Sequence, residues 1–218
     1  MHKKCLTLQG WNILNTLKPT LSKYEAVLAG GTALALQLGH RISVDLDFFT
    51  NKSFRVDDIL SSVANAGLNY QILNEGDNYI VVVIDGVKFS LFHYEHPFMD
   101  VVEYEGVRIA GILDIASMKV IAISQRGARR DFVDLYFILL DTPFPKVADR
   151  LVSRYGTQRV SPVVIGKSLM YFNEADSDPD PEYLHKELKW DMVKQYFKDH
   201  ARQFVLDLDI EIKRDRIS

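Results

Sequence analysis

Two aspartates one residue apart, Asp45 and Asp47, lie in the segment VDLDFF at 44–49. Strand alternation would place Val44, Leu46 and Phe48 on one face and Ser43, Asp45 and Asp47 on the other. Aspartate is a poor strand former, and two on one face sit roughly 7 Å apart. They repel unless positive charge lies between them. A hard divalent cation with oxygen ligands meets that need, and Mg²⁺ (or Mn²⁺) carrying the phosphates of a nucleotide meets it best. Upstream, Gly30-Gly31-Thr32 falls between an expected strand and an expected helix. Glycine there lets the backbone approach a phosphate, and the helix N-terminus offers unpaired N–H groups. The Thr32 hydroxyl can add a hydrogen bond or support the metal. Each motif alone is ordinary, since glycine pairs after strands are mostly turns and alternating acids are mostly solvated edges. Separated by a single helix, they come to one end of a sheet, and together they favour a metal–nucleotide site.

The elements that must position these residues follow from periodicity and turn signals. A helix over 8–18 is stopped by Pro19, a strand at 24–29 runs into the glycines, and a helix covers 31–40. The acidic strand spans 43–49. A helix at 56–65 ends at Gly67, and strands follow at 68–73, 79–84 and 87–94, the last two joined by the hairpin signal Asp85-Gly86. Strands at 100–104 and 107–109 turn at Glu105-Gly106. From Ile112 the period changes from two to 3.6. Helices are expected at 113–125, 131–140, 146–155, 162–173 and 187–206, with a turn-rich acidic linker at 174–181 and a charged, fraying tail at 213–218. The expected organisation is a mixed α/β domain, 1–110, followed by a helical domain, 111–218, packed against it.

The second half carries its own charged cluster: Asp114, Lys119, Arg126, Arg129, Arg130, Asp131 and Asp134. Lys119 stands in an otherwise apolar helix, so it either snorkels to water or directs a point charge at triphosphate oxygens. Asp131 and Asp134 share a helix face; they orient Lys119 or an arginine, or serve as helix N-terminal acids. Arg126, Arg129 and Arg130 make the one dense basic patch, which docks an RNA backbone or pairs with the neighbouring aspartates. Between the two leading motifs, Arg41 either contacts phosphate or neutralises the aspartates, and His40 suits a cap.

Composition excludes several classes. With 26 basic against 29 acidic residues the net charge is −3, so no global field draws the chain to nucleic acid. The single cysteine, Cys5, excludes an intramolecular disulfide and fits a reducing compartment. Gln9, Asn12 and Asn15 interrupt the apolar run behind His2-Lys3-Lys4, leaving no secretory h-region. The longest apolar stretch, Ala26 to Leu38, is too short to span a bilayer. The expectation is a cytoplasmic protein without membrane contact.

Taken together, GGTALALQLGHRISVDLDFF at 30–49, GVKFSLFHY at 86–94 and DIASMKVIAISQRGARRDFVDLYFILL at 114–140 resemble the AbiEii/AbiGii abortive-infection toxins. These are a nucleotidyltransferase family within the DNA polymerase β-like superfamily, and the resemblance covers roughly residues 26–140. It implies a nucleotidyltransferase-fold mixed sheet with helices (α/β, α+β), followed by a C-terminal helical bundle. It implies transfer of an NMP from an NTP to an acceptor hydroxyl, as in relatives that act on the 3′ end of tRNA, and pairing with an antitoxin in a toxin–antitoxin or phage-defence system. Carried over by position, Gly30, Gly31, Thr32 and Arg41 bind nucleotide, Asp45 and Asp47 ligate the metal, and Lys119 contacts the triphosphate. Asp131 is the second-half acid, and Ser90, Asp134, Arg129 and Arg130 are further candidates. One departure is visible: where many members carry a third carboxylate on a later strand, this chain alternates Lys88, Ser90 and Phe92. The expectation is therefore one tightly held metal, with a second brought by the NTP or absent. Two alternatives remain open at this point, a non-catalytic NTP- or RNA-binding interaction protein and a transferase acting on a small molecule or protein.

Overall fold

The change of period at Ile112 is also a structural division. In the computed structural model, which describes residues 1–185 and 187–217, the chain separates into Met1–Gly111 and Ile112–Ser218. The first unit holds a seven-stranded mixed sheet: β1 (Val27–Leu28), β2 (Leu46–Thr50), β3 (Tyr70–Gly76), β4 (Tyr79–Ile84), β5 (Val87–His93), β6 (Val101–Tyr104) and β7 (Val107–Ala110). Their spatial order is β3-β4-β5-β2-β1-β7-β6, with β2 parallel to β5 and β1 parallel to β7. Its helices are α1 (Leu8–Lys23), α2 (Gly30–Leu38) and α3 (Val56–Asn65).

Register explains why the two faces of this sheet differ. Ile80, Leu91, Phe48, Leu28 and Ile109 pair in one row across five strands, and all are fully or nearly fully buried. The neighbouring row, which points to the other face, reads Tyr79, Phe92, Phe49, Val27, Arg108 and Glu103. Next along that same face come Val81, Ser90 and Asp47. The apolar face carries the core, and the polar, aromatic face carries the acid.

Three local expectations are corrected. Pro19 does not end α1, which continues to Lys23. A proline costs a helix about 3 kcal/mol, but Leu17 and Leu21 on either side of it are buried with Ile13 and Leu14, and each buried leucine contributes about 1.5–3 kcal/mol. The strand expected at 24–29 shrinks to Val27–Leu28, because Glu25 takes a left-handed φ of 49° and the Ala26 amide bonds back to Leu21. The acidic strand starts at Leu46, so Asp45 precedes it. There the Ser43 amide donates to the Cys5 carbonyl at 2.9 Å, which buries Ser43 and leaves Val44 51% exposed, the reverse of the expected faces.

The second unit is helical: α4 (Ile112–Gln125), α5 (Arg129–Asp141), α6 (Phe144–Tyr155), α7 (Pro162–Ser168), α8 (Asn173–Ser177) and α9 (Trp190–Asp215). Phe132 of α5 meets Phe172, Trp190 and Phe197 at ring separations of 5.1, 5.9 and 5.3 Å. Burying Phe172 in that cluster breaks the helix expected over 162–173, and the first part of the expected linker coils into α8. The long α9 outruns its expected end because Phe204, Leu208 and Ile212 continue its buried stripe. The tail is helical to Asp215, and its last residue, Ser218, lies outside the described residues. Among the described residues no helix is long and apolar enough to cross a membrane.

Candidate active site

In the first unit, the end of β1 is pinned to the acidic strand by the Ala29 amide, which donates to the Asp47 carbonyl at 2.9 Å. The chain then turns at Gly30, whose φ of +66° is accessible to glycine with little cost. A Cβ at Gly30 would lie 3.6 Å from Asp47 Oδ2, so the bare backbone of the turn faces that carboxylate. Helix α2 begins at Gly30 with Ala29 as its N-cap, which supplies no side-chain cap. The first N–H groups of such a helix lack intrahelical partners and carry its positive end. An anion-binding terminus and a carboxylate thus stand side by side, an arrangement that suits a cation bridging the acid to phosphate.

Thr32 does not offer its hydroxyl to the site. The group is buried, 2.8 Å from Ser43 Oγ, and it donates to the Asp45 carbonyl. It positions the segment that delivers Asp45. Ser90, paired with Asp47 on the next strand, is buried and brings a hydroxyl, not a charge, to the sheet position beside the acid. Among the described residues no group of three or more His, Cys, Asp or Glu is placed to hold a metal ion. Arg41 is buried, donates to the Ile42 carbonyl at 3.0 Å and lies by Cys5, whose thiol burial pushes up while the guanidinium opposes the rise.

The second unit gathers its charges internally. Lys119 Nζ lies 2.8 Å from Asp131 Oδ1 and 2.6 Å from Asp134 Oδ2, and all three side chains are buried. Arg126 approaches the other Asp131 oxygen at 3.3 Å. Lys119, the lysine expected to contact the triphosphate, is thus paired with two carboxylates of its own unit. Arg129 is likewise committed: it donates to the Ala175 and Asp176 carbonyls and to Asp180, and its guanidinium lies 5.1 Å from the Trp190 ring centre. It clamps the acidic linker instead of presenting a free charge. Arg130 is exposed.

Two residues absent from the sequence reading complete this half. Arg150 donates to Asp114 Oδ1 at 2.7 Å, and Arg154 donates to the Asp114 carbonyl and to Ser117 Oγ. Their i, i+4 spacing on a strongly amphipathic helix was the available signal. It cannot be told from a solvated basic face without knowing that Asp114 is buried.

Residues 12–72, which contain the glycine turn, Asp45 and Asp47, match the family model "Nucleotidyl transferase AbiEii toxin, Type IV TA system". A protein of Aquifex aeolicus (strain VF5) with no described activity is 34% identical over 187 residues, covering 82% of this chain and 87% of its own length. The chain belongs to the AbiEii nucleotidyl transferase toxin family. As an AbiEii-family protein it is an NTP-dependent nucleotidyltransferase. Its fold is shared with the nucleotidyltransferase toxin MenT4 of Mycobacterium tuberculosis H37Rv, at a TM-score of 0.61 and 15% identity, over 95% of this chain and 88% of that one. It is also shared with JHP933 from Helicobacter pylori, at a TM-score of 0.53 and 20% identity, over 97% and 98% of the two chains.

Proposed function

We propose that this AbiEii-family protein moves a nucleoside monophosphate from an NTP to a hydroxyl of an RNA acceptor, tRNA being the first candidate, and acts as the cytoplasmic toxin of a toxin–antitoxin pair. The observation that carries the reading is the uncapped, glycine-started terminus of α2 facing Asp47. Asp45 and Asp47 would hold Mg²⁺ or Mn²⁺, which when bound neutralises phosphate charge as it shifts onto the leaving pyrophosphate. The donor set fits this ion: hard carboxylate oxygens, with phosphate oxygens completing the shell.

The chain's own residues do the positioning. Backbone N–H groups at Gly30, Gly31 and Thr32 hold the phosphates, and Thr32 fixes Asp45 through its carbonyl. The acceptor oxygen attacks the α-phosphorus in line, the bond to the β-phosphate bridging oxygen breaks, and pyrophosphate leaves. Ser90 supplies no base, so the acceptor's proton passes to water or to phosphate, and catalysis rests on orientation and charge. In the second unit, Lys119, Asp131 and Asp134 act as one buried group that ties α4 to α5, with Arg126 just past the end of α4 and Arg130 in α5.

The test is incubation with each α-³²P-labelled NTP, Mg²⁺ and total RNA, beside Asp45→Ala. A labelled RNA band lost in the variant supports the reading. Label on RNA that survives in the variant overturns the site assignment. NTP consumption with no labelled RNA overturns the acceptor.

A further inference from the structure

We propose that an aromatic cleft in the first unit, on the sheet face that carries Asp47, binds the terminal nucleobase of the RNA acceptor. The inference rests on the transfer reading above and adds where the acceptor sits. The cleft has a volume of about 110 Å³, and its lining includes Phe49, Tyr94 and Phe98 together with Asn51, Arg108 and Glu25.

Position is the first argument. Phe49 is two residues beyond Asp47 on β2, so both point to the same face and sit roughly 7 Å apart. Strand β1 starts at the cleft, at Val27, and leads through Ala29 into the glycine turn at Gly30. Phosphates held at the glycine end place the leaving pyrophosphate there. An in-line attack then brings the acceptor from the opposite side, where the cleft lies.

The walls are the second argument. Phe49 stacks on Phe92 at 5.7 Å and meets Tyr94 and Phe98 edge-on at 5.2 and 6.1 Å. Tyr79 extends the stack on the far side of Phe92 at 6.5 Å. These rings fix one another, so the cleft is preorganised for a planar π-face, the feature every base shares. Pockets for drug-sized ligands run to about 300–1,000 Å³. This one is far smaller, and suits one ring system instead of a whole nucleotide.

Charge is the third. Arg108 lines the cleft and lies 4.0 Å from the Glu25 carboxylate, which Lys52 approaches at 2.6 Å, so two cations stand by one acid within reach of an acceptor phosphate. Arg108 also donates to the Glu25 carbonyl at 2.7 Å, holding that residue in its left-handed conformation. Strain of this kind persists where surrounding contacts over-determine it.

The experiment compares binding of a short single-stranded oligoribonucleotide and the same strand with an abasic 3′-terminal residue, to wild type and to Phe98→Ala. NTP affinity is measured in parallel by calorimetry. Wild type should prefer the intact strand about tenfold, as loss of one stacked base implies. Phe98→Ala should lose that preference with NTP affinity unchanged, and Phe98→Trp, which keeps a ring, should retain it. Equal binding of both strands by wild type overturns the cleft while leaving Asp47-dependent transfer standing. Loss of NTP affinity in Phe98→Ala, with the RNA preference intact, overturns it in favour of the incoming base. Failure of wild type to bind either strand, with NTP still consumed, overturns the RNA acceptor itself, and this proposal with it.

Discussion

Asp47 in the sheet unit and three aspartates of the helical unit stand in opposite surroundings. In the helical unit Asp114, Asp131 and Asp134 are buried, and each meets a lysine or arginine of the same unit. In the sheet unit Asp47 is half-buried beside an uncapped helix terminus, and no salt bridge engages it among the described residues. An acid that serves the fold brings its counter-charge with it, because an unpaired buried charge costs several kcal/mol. Asp47 stands instead at the positive end of α2, where the helix dipole offsets part of the cost of a half-buried charge. The contrast separates acids that the sequence presents in the same way.

Removing Asp47 or Asp45 tests the contrast most severely. Asp47→Ala should lower nucleotide incorporation by about 10²–10³-fold, as loss of a transition-state charge contact does, while its melting temperature stays at the wild-type value. A variant that melts early would put Asp47 among the structural acids. Lys119→Met should do the reverse, removing the lysine that two buried carboxylates share and costing about 3–5 kcal/mol, read from urea unfolding. Wild-type stability in that variant would remove the distinction between the units.

Smaller changes sharpen it. Gly30→Ala forces a side chain into the left-handed region at a cost of about 1–2 kcal/mol. It should raise the KM for NTP more than it lowers stability, checked by steady-state kinetics beside a thermal melt. Asp178→Ala removes the carboxylate that accepts from the Arg129 amide at 2.9 Å and so caps α5 from a distant loop. The loss should be about 1 kcal/mol with NTP affinity unchanged, and a shift in NTP affinity would tie that loop to the site.

How much of this was legible depends on the range of the interactions involved. Hairpins written as Asp85-Gly86 and Glu105-Gly106, the helix over 56–65 and the change of period at Ile112 are local signals, and all appear in the structure. Pro19 misled because the helix around it is held by distant burial, not by propensity. Asp45 was read as a strand residue because the bond from Ser43 to Cys5 cannot be seen in a window of ten residues. The role of the Thr32 hydroxyl was open to a hydrogen bond or metal support for the same reason: its partners, Ser43 and Asp45, lie 11 and 13 residues further on.

By itself the sequence determined the glycine turn, the pair of acids, the helix between them and the family they imply, since these rest on residue type and short spacing. Only the tertiary structure decided what the charged residues do. It set Asp47 against the backbone of Gly30, enclosed Lys119 between two aspartates, turned Arg129 onto a linker and gave Asp114 two arginines from a later helix. The physical reason is that a charge acts through its surroundings. Burial and the nearest opposite charge fix whether it holds the fold or awaits a ligand, and both are set by residues far away in the chain.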